Sequence, residues 1–484
     1  MAMLPPQRDL IAGTRRPPGG RLPGQLCHPD TGEPLQPQME STPGQVERAI
    51  GAADTLHRDG AWRDTDSAGR AALLHRAADL LEGRAAEIAD CDALNSGLVV
   101  SVTELIAAGL PGVLRGAAGR LLVDPGLREL PGPVHLHHLP WGPAVVITPW
   151  NASTFTAVKK AAYALAAGCP VIVKPSNLAP SGTNVVADVF ARAIADTDAP
   201  SAVFQLVHGG AEVGRTLAAD PRVRALAFTG GRAAGTAIVR AAADDLKSLQ
   251  LELGSNNPAI VRADADVDAT ADALVAGFTK LNGQWCESPG SVFVPPALHD
   301  ALLDALLDRL ATIRLGGCLD RDSTMGPQAH RAQRDGLVAV IGRLTAAGGI
   351  ARTGTAPPAL PGWFLPPTVV TGAPPALTKD EIFGPVLTLH PAADDAQALA
   401  LANSRRTGLA GYVFGTDEDA ALLLGTRLEC GEVKINGTSL LDLTPESTQA
   451  FWGGSGIGGH GDAELLRFFR GARIVGVEEP GRPL

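Results

Sequence analysis

The sequence predicts an α/β protein centred on a doubly wound parallel sheet, and three observations lead there. Short β-branched runs alternate with Ala-rich helical stretches between Pro143 and Phe228. A glycine-rich turn, Phe228-Thr229-Gly230-Gly231-Arg232-Ala233-Ala234-Gly235, follows one of these runs and opens a helix. A second region of α/β pattern begins after Glu252, in a chain of 484 residues. That length exceeds the roughly 250–300 residues at which a single core stops growing, so two or three domains are expected.

Taken in order, residues 1–44 are rich in Pro, Gly and Arg without sustained periodicity, which predicts an irregular leader holding one or two short strands. The leader lacks the apolar core of a signal peptide, and no apolar run approaches the roughly 20 residues that span a bilayer. Leu73, Leu74, Ala77, Leu80, Leu81, Ala85 and Ile88 recur at helical spacing behind the capping candidates Asp66 and Ser67. A second helix is expected near 101–119. Val134-His135-Leu136-His137-His138-Leu139-Pro140 alternates like a strand. His135 and His137 fall on one face of it and His138 on the other, with no carboxylate or cysteine close in sequence, so a structural role is favoured and no metal set is predicted.

The strands of the predicted sheet are Ala144-Val145-Val146-Ile147, Val171-Ile172-Val173, Val203-Phe204-Gln205-Leu206 and Ala225-Leu226-Ala227-Phe228, with helices near 155–167, 182–196 and 211–219. Apolar runs of this kind joined by crossover helices indicate parallel strands covered on both faces. Beyond Glu252 the pattern predicts a strand at Ser291-Val292-Phe293-Val294, a helix over 297–313, strands near 385–389 and 432–436, surface loops over 354–375 and a last strand at 472–477.

Hydrophobic residues make up 45% and charged residues 19%, which excludes a disordered chain. A formal net charge of −10 without clustered Lys and Arg disfavours nucleic acid as a partner. The six cysteines form no CxxC pair, so neither zinc nor a disulfide framework is suggested and a reducing cytoplasm is expected.

Four short motifs carry the chemistry: Pro149-Trp150-Asn151, Leu251-Glu252-Leu253-Gly254, Gly283-Gln284-Trp285-Cys286 and Glu381-Ile382-Phe383-Gly384-Pro385. Glu252 and Cys286 lie 34 residues apart, as a general base and a nucleophile would. The order amide, carboxylate, thiol, carboxylate resembles the aldehyde dehydrogenase superfamily from about residue 45 to the C-terminus. The resemblance implies a Rossmann-type cofactor domain (1–121 and 141–253), an α/β catalytic domain (254–457) and a small β oligomerisation arm with a C-terminal tail (122–140 and 458–484). It also implies a homodimer or homotetramer, with the last strand pairing against the arm of another subunit. The implied reaction is NAD(P)-dependent, non-acylating oxidation of an aldehyde to an acid.

On the cofactor side, Thr229, Gly230, Gly231 and Gly235 would let a pyrophosphate approach free N–H groups at a helix start. The family's usual residue at 231 is Ser. Lys174, Ser176 and Asn177 end a strand where open α/β sheets bind ligands, and the resemblance puts Lys174 at the adenosine ribose. The family often has Glu where Asn177 stands; without its negative charge the repulsion against NADP is missing, so the cofactor is NAD or NADP with a lean to NADP. Arg232 either adds a positive charge there or is an ordinary exposed helix-start residue. Thr148, Pro149, Trp150 and Leu253 are assigned to the same side, and Glu381 and Phe383 to the nicotinamide ribose and ring.

The resemblance makes Cys286 the nucleophile whose hemithioacetal can release hydride, leaving a thioester. Asn151 and the Cys286 backbone N–H would meet the oxyanion, such donors being worth about 3–4 kcal/mol each. Glu252 would activate the water that cleaves the thioester. Glu287 departs from the small or neutral residue usual after the nucleophile, and a carboxylate facing the thiol opposes thiolate formation. Phe451-Trp452-Gly453-Gly454-Ser455-Gly456-Ile457-Gly458 departs from the family's PFGG…SG segment.

For the aldehyde, Ala152, Thr156 and Lys159 replace bulky apolar residues, which predicts a polar or cationic tunnel, although Lys159 could equally snorkel or pair with a surface carboxylate. Trp285, Trp452 and the loop Thr444-Pro445-Glu446-Ser447 are further candidate walls, and Glu446 would favour an amine instead. Two other readings remain open at this stage: a catalytically inactive nucleotide-binding scaffold of the same fold, and a coenzyme A-acylating enzyme.

Overall fold

The computed structural model describes residues 4–440, 443–444 and 446–478. Five parallel strands form its first sheet, in the order Phe204–Leu206, Val171–Lys174, Ala144–Ile147, Ala225–Gly230, Ser248–Leu253. Ala144 and Val146 point into one hydrophobic core, Val145 and Ile147 into the other. Burial on both faces is why these strands read as unbroken apolar runs. The crossover helices Ser153–Ala167, Ser181–Ala195, Ala211–Ala219 and Arg232–Ala242 cover the two faces.

The N-terminus is not the irregular leader that its composition suggests. Asp9–Ile11 pairs antiparallel with both Thr14–Arg16 and Phe204–Leu206, widening the first sheet, and Gly20–Cys27 pairs with Pro34–Glu40. Three-residue strands are too short for a period to show, and the partner of Leu10 is Leu206, far along the chain. Prolines in Gly20–Cys27 and Pro34–Glu40 are tolerated because these strands pair on one side only.

The periodic stretch behind Asp66 is two helices, Ser67–Glu82 and Ala85–Ser96, broken at Gly83 and Arg84. Asp66 caps the first by accepting from Gly69 N at 2.7 Å. The next helix, Val100–Val123, has 24 residues and an 18-residue window of mean hydropathy 1.3; among the described residues it alone is long and apolar enough to cross a membrane. Glu104, Arg115 and Arg120 interrupt the run and hid that property in the sequence. Thr103, Ala107, Leu110, Leu114, Ala118 and Leu121 form one buried stripe, and the helix packs against Ser67–Glu82, Ala85–Ser96 and Ser153–Ala167.

The second sheet runs Ile350–Thr353, Thr368–Thr371, Val386–Pro391, Pro289–Val294, Asn257–Val261, Ala410–Phe414, Glu432–Ile435, all parallel except the first. Thr368–Thr371 is fully buried, which corrects the expectation of surface loops over 354–375. Only four residues long and preceded by Pro366 and Pro367, it offers no alternation to detect.

A third sheet joins Leu127–Leu130, Val134–Pro140 and Arg470–Gly476. The last strand pairs with Val134–Pro140 of its own chain, from Arg470↔Pro140 to Gly476↔Val134. Its free edges are Leu127–Leu130 and the last strand itself.

Candidate active site

The nucleophile candidate sits on a turn under strain. Leu281 (φ 51°), Asn282 (φ 58°) and Gly283 (φ 75°) are consecutive left-handed residues. For Leu281 and Asn282 this costs roughly 1–2 kcal/mol each. Side chains hold the turn. Asn282 Nδ2 donates to Gly97 O (2.8 Å) and Pro327 O (2.9 Å), and its Oδ1 accepts from Gly326 N. Gln284 Nε2 donates to Ser96 O, and Gln284 Oε1 accepts from Ala329 N. Asn257 Nδ2 holds Cys286 O and Ser288 O, each at 2.9 Å. A Cβ on Gly283 would run into Pro385, so the turn lies directly against the Glu381–Pro385 motif.

Glu252 ends a strand of the first sheet, and its Oε1 lies 3.5 Å from Cys286 Sγ, within reach of the thiol proton. Its Oε2 accepts from Thr229 Oγ1 at 3.1 Å, and Lys160 Nζ reaches that hydroxyl at 2.6 Å and Glu252 Oε2 at 3.7 Å. Burial alone would raise Glu252, but Lys160, His460 and the bonds from Thr229 and Cys286 outweigh it and hold the carboxyl below its usual range. Burial, Glu252, Glu287 and Glu381 push the Cys286 thiol well up. The resting pair is therefore thiol and carboxylate, with S–H donating.

Asn151 does not cap the following helix, whose N-cap is Ala152 without a side-chain bond. Its Nδ2 donates to Gln284 O at 2.8 Å, which brings the amide to the cysteine turn and leaves one N–H for another acceptor. A Cβ on Gly254 would run into the Glu381 carboxylate, so three motifs converge where the strand Ser248–Leu253 ends. Burial raises Glu381 to about 7, partly offset by a hydrogen bond from the Ser255 backbone.

On the dinucleotide side, Gly231 is the N-cap of Arg232–Ala242, with no side-chain cap and open space where a Cβ would stand. The first N–H groups of that helix are thus unclaimed, and they fit an anion such as a pyrophosphate. A Cβ on Gly235 would meet Leu253 Cδ2 at 2.5 Å, so this glycine lets helix and strand pack closely. Lys174 is buried at the end of its strand, brought down to about 8 by burial despite Glu40. Asn177 Nδ2 donates to Gln38 Oε1 at 2.8 Å, tying the strand end to the N-terminal hairpin, while Ser176 Oγ accepts from Leu178 N. The Trp150 ring meets Phe383 edge-on at 5.3 Å, and Thr148 shares a 2.9 Å bond with Ser153. Thr229, grouped in the sequence with the glycine turn, donates its hydroxyl to Glu252.

Of the candidate substrate residues, Trp285 packs with Leu98, Leu281, Val102, Ile106 and Cys286, and Lys280 Nζ lies 4.3 Å over its ring. Lys159 faces Asp462 at 3.9 Å. Glu446 is largely exposed and faces Arg120 at 3.5 Å; Trp452 is half-exposed on a two-residue strand paired with Thr407–Gly408. Pro445 lies outside the described residues. His28, Asp30 and Cys318 bring their ligand atoms within 4.8 Å of one another. However, Asp30 accepts from Cys318 N, and His28 Nδ1 accepts from Asp30 N, so their lone pairs serve a hydrogen-bonded turn.

Sequence reasoning missed Lys160, Asn257 and Lys280. For Lys160 a signal existed: it falls at helical spacing with Ala157, Ala161 and Ala164, a lysine on an apolar face.

The model of the Aldehyde dehydrogenase family matches residues 21–475. A geranial dehydrogenase of Castellaniella defragrans is 35% identical over 405 residues, covering 81% of this chain and 83% of that protein. A succinate-semialdehyde dehydrogenase [NADP(+)] of Mycobacterium ulcerans is 31% identical over 431 residues, covering 87% and 92%. The crystal structure of a betaine aldehyde dehydrogenase from Staphylococcus aureus in complex with NAD+ superposes with a TM-score of 0.91 at 28% identity, covering 98% of this chain and 95% of that one. Matches of this extent agree with a thiol, two carboxylates and an amide drawn together from two sheets, and the chain belongs to the aldehyde dehydrogenase family.

Proposed function

We infer that this enzyme oxidises an aldehyde to a carboxylic acid, with Cys286 as nucleophile, Glu252 as general base and Asn151 as oxyanion donor. The observation that carries the reading is the 3.5 Å approach of Cys286 Sγ to Glu252 Oε1 from a different segment of the chain. The thiol proton passes to Glu252 as sulfur adds to the carbonyl carbon. The free N–H of Asn151 and the Cys286 backbone N–H stabilise the oxyanion. A bound nicotinamide dinucleotide supplies the hydride acceptor, and Thr229–Gly235, Lys174, Glu381 and Phe383 are the residues that would hold it. Once it has released the thiol proton to solvent, Glu252 as carboxylate takes a proton from the water that cleaves the thioester on Cys286. A base at this position supports hydrolysis over transfer to coenzyme A. An aldehyde panel read by the absorbance of the reduced cofactor tests the reading; dinucleotide binding without oxidation of any aldehyde would favour the scaffold.

Lys160 supports this base electrostatically. In Lys160→Met the carboxyl of Glu252 loses the cation that holds it down, so the acid limb of the kcat/KM profile should move to higher pH. An acid limb at the wild-type pH would remove Lys160 from the mechanism.

For the cofactor, the reading is that NADP serves at least as well as NAD. Asn177 neither repels a 2′-phosphate nor holds ribose hydroxyls as a carboxylate would, since charge-assisted hydrogen bonds are about twice as strong as neutral ones. Asn177→Glu should shift the ratio of kcat/KM values toward NAD by at least about tenfold, or about 1.4 kcal/mol. Rejection of NADP by the wild type, or an unchanged ratio in the variant, would take Asn177 away from the ribose.

The ammonium of Lys280 over Trp285 supports a polar aldehyde, whereas Lys159 is paired with the half-exposed Asp462 and Glu446 with Arg120. Assembly as a homo-oligomer is supported by exposed Leu127, Ile474 and Val475 on the arm sheet. A panel maximum at a long unsubstituted alkanal would sink the first of these two, and a monomer in sedimentation the second.

A further inference from the structure

A seam of buried polar side chains flanks the Pro149-Trp150-Asn151 motif. Thr148 Oγ1 and Ser153 Oγ, on either side of the motif, are 2.9 Å apart, and Ser153 Oγ lies 3.3 Å from Thr183 Oγ1. Thr154 Oγ1 donates to Asp92 Oδ1 at 2.6 Å, and Asn95 Oδ1 accepts from Ser181 N at 3.0 Å. These bonds tie the helices Ala85–Ser96, Ser153–Ala167 and Ser181–Ala195 to one another beside the amide that the mechanism uses. A buried polar network of this kind specifies one geometry when its members are satisfied.

Two groups of the seam and the motif still call for partners. Asn95 is only 5% exposed, yet its Nδ2 has no acceptor among the described residues. An unpaired buried donor is costly. Asn151 Nδ2 donates to Gln284 O, a group that can only accept, so the other end of that amide is Oδ1. Asp92, Asn95 and Asn151 line one small cavity, walled by Leu98, Ile106 and Phe155, with room for a single water.

We propose that Asn95, together with Asp92, is a positioning residue for the oxyanion donor, acting through one water held in this cavity against Asn151. This rests on the assignment of Asn151 above. The water accepts from Asn95 Nδ2 and donates one proton to the Asp92 carboxylate and the other to Asn151 Oδ1, which gives it the three bonds typical of a buried water. Donation to the carbonyl end polarises the amide, so the N–H turned to the substrate becomes a stronger donor. It also holds the amide plane: with Oδ1 bound at one end and Gln284 O at the other, the remaining N–H keeps a single direction. A donor fixed in this way meets the developing oxyanion without reorganising.

The test is a double-mutant cycle between Asn95→Ala and Asn151→Ala in the full-length protein, with an aldehyde that the wild type oxidises. Assays are run above the value of about 7 to which burial raises Asp92, so that its carboxylate is an acceptor. Asn95→Ala should lower kcat and kcat/KM alike by about tenfold in the wild type, and by less than about twofold in Asn151→Ala. Dinucleotide affinity should not move. A merely structural role would lower activity by the same factor in both backgrounds, which would overturn the proposal. So would an unmoved kcat, or a change confined to KM, which would make the cavity part of the substrate site. Ala179→Val is the second variant, because it keeps the bond between Asn95 and Ser181 and fills the cavity that Ala179 also lines. Should Asn95→Ala fail to fold, Ala179→Val decides, with the same loss and the same dependence on Asn151 expected. Asn151→Ala turning over at the wild-type rate would sink the oxyanion reading and this proposal with it, whereas a slow Asn151→Ala with equal factors in both backgrounds sinks this proposal alone.

Discussion

Cys286→Ala should lower aldehyde oxidation by at least about 10⁴-fold while dinucleotide binding survives. Without the sulfur no covalent adduct forms, and no other cysteine can substitute: Cys91, Cys169 and Cys318 are buried, Cys430 is pushed up to about 12 by burial, and Cys27 lies on the N-terminal hairpin. The turn itself does not depend on the thiol, because Asn257, Asn282 and Gln284 hold it through backbone carbonyls and N–H groups. The cradle at Thr229–Gly235 and Lys174 belongs to other segments. Turnover assays with a titration of dinucleotide binding check both halves. Residual oxidation within tenfold of wild type would remove Cys286 from the chemistry; loss of binding would mean that the thiol supports the cradle.

Glu252→Gln should lower steady-state kcat by about 10²–10³-fold and convert the time course to a burst followed by a slow phase. The amide cannot take a proton from water, so the acyl group stays on Cys286. The burst requires that the thiol lose its proton by another route, which loss of the Glu252 charge eases because that charge is one of the causes that push the thiol up. Lys160 would lose its anion in a buried site, and breaking such a pair costs up to about 3–5 kcal/mol unless the lysine sheds its proton. Thermal denaturation should therefore be run alongside. Rapid-mixing kinetics reads the burst, and mass spectrometry reads an acyl group on Cys286. A slow variant with neither would make transfer of the thiol proton to Glu252 the step that limits turnover.

How much of this was legible in the sequence depends on the range over which each feature is encoded. Trp150-Asn151, Leu251–Gly254, Gly283–Cys286 and Glu381–Pro385 are each complete within a few residues, because a strand end or tight turn imposes its demands locally. The parallel strands were legible for the same reason, since burial on both faces leaves an unbroken apolar run. The N-terminal strands and Thr368–Thr371 were not, because segments of three or four residues carry no period and their pairing partners are remote. The charge environment of the site was likewise outside the sequence's reach. Lys160, Thr229, Glu252 and Glu287 come from separate elements, and a buried carboxylate or thiol responds to every charge within a few ångströms whatever its distance along the chain. The sequence by itself determined which motifs offer a thiol, carboxylates and an amide, and the order of the elements that carry them. Only the tertiary structure decided which ammonium faces Glu252 and which carboxylates act on Cys286, because electrostatic coupling in a low-dielectric interior is set by distance in space.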